Sequence, residues 1–345
     1  MPYYAVFGNH DGALRGTLTY QKAFQAGAKA HGRYWFESQR EWINEFFFTQ
    51  IDPGPVGHGF GFSTNLLDED DRNDGWYSFP TAGGQVRIIV MNTLYDGVRQ
   101  ELHQDGATGT LTGGHVRGNE ATNPIGLETG VMSRDQYTWL AAELAAGQAA
   151  GQAILSFSHH PDRSFSERRL GFTADGGVTA IELDNLLGSV PNFVAHIAGH
   201  THENLVSACK PGDCPIGGSG GNANPANAFW RIETASLIDW PQEGRIIELW
   251  KTSGGDWALK LTVIEPDQTD PTAALSRELS KAEAICNVSQ MLGGPLSSGP
   301  YDAGRLETAI ARTTDAVTTP NFCQGDLATA TGPGQATDRD LVLLP

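Results

Sequence analysis

The chain has 345 residues, of which 39% are hydrophobic, so it can bury one large core or two ordinary ones. Its formal net charge of −17 argues against nucleic acid as a partner, because the sequence has no basic patch that would offset the repulsion. With 42 Gly and 18 Pro, and no apolar run long enough to cross a membrane, the composition excludes a helical bundle and a membrane span.

Alternating strand and helix patterns predict an α/β fold for the first part of the chain. Short apolar runs that end in polar residues or Gly predict strands at 3–7, 86–93, 153–158 and 192–199. Amphipathic patterns predict helices at 133–147 and 178–190, with Ser133 as the cap of the first helix and Gly147 as its stop. Strand 3–7 is apolar throughout, which suits a strand covered on both faces.

The pattern changes in the last third of the sequence. Strands predicted at 229–236, 244–251 and 257–265 follow one another without intervening helices, which favours antiparallel pairing. The chain then turns to Pro, Thr, Gly and Asp, with one helix predicted at 272–291 and a loosely ordered tail. We therefore expect a main domain at 1–265 and a C-terminal extension at 266–345.

The cysteines are the residues of the sequence that bear on cellular location. Cys209 and Cys214 flank the turn-forming tetrapeptide KPGD, so we predict that they pair, and that Cys286 pairs with Cys323. Disulfides indicate an oxidising compartment, which favours a periplasmic or extracellular protein whose export signal is expected upstream of this chain. Four reduced thiols in a cytosolic protein are the alternative.

Three histidine-bearing turns follow predicted strands: GNHD at 8–11, SHHP at 158–161 and GHTH at 199–202. The carboxyl ends of strands are where α/β folds build their sites. Imidazole suits Zn, Fe, Mn or Ni, and the Asn oxygen is a harder ligand. A single histidine of this kind is usually structural, but three such turns predict a shared metal site. His196, inside the strand before GHTH, is instead expected to be a packed side chain.

These motifs, in this order, resemble those of the calcineurin-like metallophosphoesterases over residues 1 to about 265. The segment SRDQYTWLAAEL resembles the Gln-x-x-Trp-Leu helix of the purple-acid-phosphatase and cyclic-phosphodiesterase branch, and AFWRIETASLIDWPQEGRIIEL resembles a segment of its bacterial members. The resemblance implies an αββα sandwich of two sheets flanked by helices. It also implies hydrolysis of small phosphate mono- or diesters by a hydroxide that two divalent or trivalent ions activate. It leaves the oligomeric state open.

The resemblance assigns roles to residues of this sequence. It implies four metal ligands: Asn9, His159 and His200 on one ion, and His202 on the other. His10 would face the substrate phosphate as a general acid or hydrogen-bond donor, and Asp11 would orient His10. In the pair of adjacent histidines, His160 aligns with a position that is not a ligand.

Two earlier motifs of the family, Asp-x-His and Gly-Asp-x-x-Asp or Gly-Asp-x-x-Asn, are missing from the sequence. We therefore expect a chain that lacks the N-terminal strand–helix units, exposes an unpaired edge at strand 3–7, holds at most one metal ion and is impaired in catalysis. One alternative is a non-catalytic relative that binds phosphate or a partner on the same fold. A module that binds a single metal ion is a third interpretation.

Overall fold

The computed structural model of the chain describes residues 4–6, 8, 76–93, 130, 132–165, 178–216, 221–239, 241–285, 338 and 340–344. The chain divides into two compact units. The first unit comprises residues 1–200 and 207–232, and the second comprises residues 201–206 and 233–345. Asn9, His10, Asp11, Cys286 and Cys323 lie outside the described residues.

A six-stranded mixed sheet organises the first unit, and the α/β character predicted from the sequence is confirmed. Its strands are β1 (Tyr77–Thr81), β2 (Val86–Val90), β3 (Ala153–Ser158), β4 (Phe193–Ala198), β5 (Leu205–Cys209) and β8 (Phe229–Glu233). Their spatial order is β1-β2-β3-β4-β8-β5. The pair β1–β2 is antiparallel, whereas β2, β3 and β4 run parallel to one another. The structure also describes a small antiparallel pair in this unit, β6 (Cys214–Pro215) and β7 (Asn222–Ala223).

Two capped helices supply much of the buried apolar surface of the first unit. In α1 (Arg134–Ala149) the Ser133 hydroxyl accepts a hydrogen bond from the Gln136 amide at 3.1 Å, as an N-cap does. In α2 (Ala180–Leu187) Thr179 and Glu182 form a reciprocal capping box. The inward side chains of the two helices join one hydrophobic core with β2 and β3: Leu140, Leu144, Leu183, Leu187, Ile89 and Ile154.

Gly147 does not end α1, contrary to the prediction. It lies buried inside the helix, where a Cβ atom would come within 2.7 Å of the Ile154 Cδ1 atom, so the missing side chain lets α1 pack closely on β3. The glycine of the turn that follows α1 is Gly151, which has a φ of 65° that other residues adopt only with strain.

The predicted strand at 3–7 is wrong over its described residues, because residues 4–6 belong to no strand. The Tyr4 ring stacks on Phe79 with centroids 4.0 Å apart, and Tyr4 remains 38% exposed. The Ala5 carbonyl accepts a hydrogen bond from the Tyr77 hydroxyl at 2.8 Å. This segment therefore contacts the side chains of β1 and does not pair with its backbone. Its apolar composition does not reflect burial on both faces of a sheet.

A three-stranded sheet organises the second unit, in the order β11-β10-β9. Its strands are β9 (Gly244–Lys251), β10 (Trp257–Ile264) and β11 (Leu341–Leu343), and both pairings are antiparallel. The helix α3 (Pro271–Ile285) begins within one residue of its predicted start. None of the helices that the structure describes is long and apolar enough to cross a membrane.

Two predictions for this part of the chain are wrong. The segment 229–236 does not pair with the two following strands, because β8 lies between β4 and β5 in the six-stranded sheet. The tail is also not loosely ordered throughout, since β11 pairs with β10 and buries Leu343. The side chain of Asp340 accepts a hydrogen bond from the Val263 amide at 2.9 Å, which adds a second attachment.

A disulfide joins Cys209 at the end of β5 to Cys214 at the start of β6, the pairing that the sequence predicts. Both cysteines are fully buried and belong to the hydrophobic core. The bond therefore closes a short turn directly beneath the surface of the first unit.

Replacing both cysteines, as Cys209→Ala with Cys214→Ala, should lower the free energy of unfolding. The bond spans a sequence separation of 5, and closing so short a loop stabilises by about 2 kcal/mol in the chain-entropy model. Urea unfolding measures the change, and reduced wild-type protein should match the double variant. An unchanged urea midpoint, or non-reducing peptide mapping that finds both thiols reduced, would contradict the assignment.

Candidate metal centre

Two histidine-bearing turns meet because the strands that precede them are neighbours. The strands β3 and β4 are parallel, with Ser158 opposite Ala198, so they end at the same edge of the sheet. His159 follows β3 directly, and His200 follows β4 after a single glycine. The Gly199 amide donates to the His159 carbonyl at 3.0 Å, which extends the contact between the strands into the turns.

The imidazoles of these turns come within ligand distance of one another. His200 Nδ1 and His159 Nε2 are 3.2 Å apart. Two nitrogens that each bind one tetrahedral zinc ion at about 2.0–2.1 Å lie about 3.3 Å from each other. A ring nitrogen of His160 completes a group in which all three ligand atoms lie within 4.8 Å of one another. The donor set therefore fits a divalent ion that prefers nitrogen ligands.

The backbone at the second turn is held in an unusual conformation. His200 has a φ of 70° and His202 a φ of 58°, both in the left-handed region that few residues other than Gly occupy. Such conformations cost on the order of 1–3 kcal/mol each, and they concentrate at sites where function requires the geometry. The strain falls on two residues that the family resemblance names as metal ligands.

Gly8, the first residue of GNHD, lies against the histidine turn that follows β3. It is buried, and a Cβ atom at this position would lie only 2.7 Å from His159 Nδ1. A side chain would therefore displace the imidazole, and the absence of one lets the backbone lie on the ring. Of the four residues of the motif, Gly8 is the one that the structure describes.

His160 is held from the end of β2. Thr93 Oγ1 accepts a hydrogen bond from the His160 amide at 3.1 Å and lies 3.0 Å from His160 Nδ1. Gln136 of α1 fixes the preceding residue, since its side chain bonds to both the amide and the carbonyl of Asn92 at 2.8 and 2.7 Å. The motifs in the sequence do not point to Thr93 or Gln136, although a Gln on the apolar stripe of α1 is a signal for such a role.

His196 supports the same turn from β4, as the sequence prediction of a packed side chain anticipates. The Ser158 hydroxyl donates to the His160 carbonyl at 2.6 Å, so the Ser158 oxygen accepts from His196 Nε2 at 3.2 Å. The other ring nitrogen, Nδ1, then accepts from Ser156 Oγ at 2.9 Å. Complete burial lowers the pKa of His196 to about 4, so the ring is neutral at pH 7.

The division between the two units falls just after His200, so His202 belongs to the second unit. There His202 Nε2 lies 3.8 Å from Asp239 Oδ2. The adjacent Thr201 hydroxyl donates to Glu233 Oε2 at 2.7 Å. Asp239 thus places one carboxylate beside the His202 ring, and Glu233 places another beside the preceding residue, Thr201.

Comparison with protein families gives no match, and comparison with curated protein sequences gives none either. Among solved structures, the crystal structure of a dimetal phosphatase from Danio rerio is similar, with 15% identical residues and a TM-score of 0.37. The matched region covers 75% of this chain and 68% of that chain.

His196 should make the stability of the protein depend on pH. Its folded pKa of about 4 lies below the ordinary 6.5, so the contribution is complete above pH 6.5 and is lost as the pH falls towards 4. The loss amounts to about 3 kcal/mol, at about 1.4 kcal/mol per pH unit. Urea unfolding between pH 7 and 4 measures it, and His196→Gln should flatten this part of the profile. An equal slope in the variant would contradict the assignment.

Proposed function

We propose that this protein hydrolyses phosphate mono- or diesters with bound metal ions, as the calcineurin-like metallophosphoesterases do. The observation that carries the proposal is the 3.2 Å separation of His200 Nδ1 and His159 Nε2 at the ends of two parallel strands. Both residues belong to motifs that resemble those of the family in sequence and order. Their separation is close to that of two ligands of one ion.

In this proposal Asn9, His159 and His200 hold the ion that this chain binds, and His202 corresponds to a ligand of the second ion in the family. The packing of Gly8 on the His159 ring supports the first assignment, because Asn9 is the next residue in the chain. When bound, an ion supplies positive charge that stabilises phosphoryl oxygens and offsets the protein's formal charge of −17. Zn, Fe, Mn and Ni all suit this donor set, and we propose at most one ion in this chain.

The remaining roles fall on the GNHD motif. His10 would donate a proton or a hydrogen bond to the ester oxygen that leaves phosphorus, and Asp11 would hold the His10 ring in the orientation that this requires. A small phosphate ester is the proposed substrate. Nucleic acid is not, because the acidic chain would repel a polyanion of that size.

Two finer features complete the proposal. The fold would be the αββα sandwich of the family, to which the six-stranded mixed sheet would contribute one layer. The protein would work in an oxidising compartment outside the cytoplasm, an assignment that the Cys209–Cys214 disulfide supports.

A non-catalytic phosphate-binding protein is the second candidate. The absence of Asp-x-His and Gly-Asp-x-x-Asp or -Asn from the sequence favours it, because those motifs supply the remaining ligands in the family. A chain that keeps ligands for one ion could still bind an anion without turning it over.

Metal binding and hydrolysis of bis(p-nitrophenyl) phosphate test the proposal. Titration with Co²⁺, followed by its visible absorption, should give one bound ion per chain and not two. The variants His159→Ala and His200→Ala should each weaken binding by more than about tenfold, because each removes a ligand. They should also abolish whatever hydrolysis the wild-type protein shows.

Lys260→Ala is a suitable control, because Lys260 pairs with Glu248 at the surface of the second unit, with both side chains well exposed. It should match the wild-type protein in both measurements. Co²⁺ binding that survives both histidine substitutions would refute the proposed site. A wild-type protein that binds inorganic phosphate but does not hydrolyse the ester would instead support the second candidate.

A further inference from the structure

A buried arginine in β8 joins several parts of the first unit. Arg231 is only 9% exposed, which is unusual for a guanidinium unless it is fully paired. It bonds to four groups: Asp162 Oδ2 at 2.7 Å, Asp184 Oδ2 at 3.5 Å, the Pro215 carbonyl at 3.1 Å and Ser207 Oγ at 3.2 Å. These partners come from a turn, a helix and two strands, so a single side chain fixes their relative positions.

Two carboxyl groups, those of Asp162 and Asp184, share the single cation of this cluster in different environments. Burial raises the pKa of Asp184 well above its ordinary range, and the negative charge of Asp162 raises it further against the effect of Arg231. Asp184 Oδ1 has no hydrogen-bond partner among the described residues, which an ionised carboxylate would tolerate poorly at complete burial. The closer contact of Arg231 is the one with Asp162, at 2.7 Å, whereas Asp184 lies 3.5 Å away.

Asp162 connects this pair to the candidate metal centre. It opens the short helical turn Asp162–Ser164, and only Pro161 separates it from the two histidines of SHHP. The side chain of Asp162 is 4% exposed and lies 2.7 Å from Arg231. The turn is closed by the Ser164 amide, which donates to the Pro161 carbonyl at 2.9 Å. The near end of the histidine turn is thus fixed by β3, and the far end by the ion pair.

We propose that Arg231 is a positioning residue for His159, acting through Asp162 to hold the turn after β3 in the geometry that brings the imidazole to His200. The inference rests on the proposed function, because His159 and His200 are taken as ligands of one ion. A role in stability alone is the weaker explanation. Burying two charges costs nearly as much as their attraction returns, and apolar replacements of such pairs are often neutral or stabilising. What an ion pair adds is a defined geometry, because the guanidinium fork fixes the direction of its partners.

The expected size of the effect follows from other metal sites. Residues that orient a ligand without touching the metal typically change metal affinity by about 10- to 100-fold when they are replaced. Arg231→Met keeps an unbranched apolar stem and removes the guanidinium, with its charge and all its hydrogen bonds. It should therefore weaken Co²⁺ binding by about 10- to 100-fold. Arg231→Lys keeps the charge but loses the planar fork of donors. The Co²⁺ affinity of this variant should therefore lie between that of the wild-type protein and that of Arg231→Met.

Two matched controls separate positioning from general stability. Arg87→Met removes another part-buried ion pair of the first unit, the one between Arg87 and Glu143. Arg87 lies opposite Ile154 near the start of β3, whereas the histidine turn follows the end of that strand. Arg87→Met should lower the melting temperature and leave Co²⁺ affinity within about threefold of wild type. Asp162→Asn and Asp184→Asn form the second comparison. The first removes the carboxylate that lies 2.7 Å from Arg231 next to the histidine turn and should weaken Co²⁺ binding. The second changes the longer contact, at 3.5 Å, with a helix residue that is remote in sequence from that turn, and should leave Co²⁺ affinity close to wild type.

The measurements are Co²⁺ titration by visible absorption and thermal unfolding of each variant without metal. Wild-type affinity in Arg231→Met and Asp162→Asn would overturn the positioning role and leave the proposed function intact. Equal losses of affinity in Arg87→Met or Asp184→Asn would also overturn it, since the effect would then follow stability. If Arg231→Met does not fold, the pair Arg231→Lys and Asp162→Asn gives the same decision. A wild-type protein that binds no Co²⁺ would refute the proposed function and this inference together.

Discussion

The parallel ladder between β3 and β4 is the constraint on which the proposed site depends. Its register sets Ser158 opposite Ala198, so the two strands deliver their histidines to the same edge of the sheet. A slip of one residue would turn the side chains of a strand to the opposite face. The 3.2 Å approach of the His159 and His200 nitrogens would then be lost. The chemistry of the site is thus a consequence of strand pairing.

Buried polar contacts, in addition to apolar packing, hold the turn after β3. Thr93 reaches it from the end of β2, His196 from within β4, and Arg231 from β8. Each contact is shielded from water, so each is strong when its partner is present and costly when the partner is removed. Three polar side chains therefore hold this turn from three strands or their ends. Replacing any of them should change the geometry of the turn while leaving its apolar packing largely intact. This arrangement suits a site in which two imidazoles must stay at a set distance.

Local signals in the sequence predicted both helices and half of the eight strands that the structure describes in the first unit. The strand at 153–158 and the cap at Ser133 are both confirmed, because alternation, periodicity and capping act between residues that are close in sequence. The errors have a different cause. Gly147 was expected to end a helix, but its missing side chain is needed for the contact with Ile154 on a strand that comes later in the chain. The tail was expected to be loose, but pairing with β10 orders Leu341–Leu343.

The sequence by itself determined which kinds of residue the three histidine-bearing motifs contain. GNHD, SHHP and GHTH are local patterns, and the preference of imidazole for transition metals is a property of the side chain alone. Only the tertiary structure decided which nitrogens meet, why His160 joins the same group, and which residues hold the turn. Arg231 lies 69 residues from Asp162, and Thr93 lies 67 residues from His160. Contacts over such separations depend on the order and register of the strands, which no pattern of neighbouring residues contains.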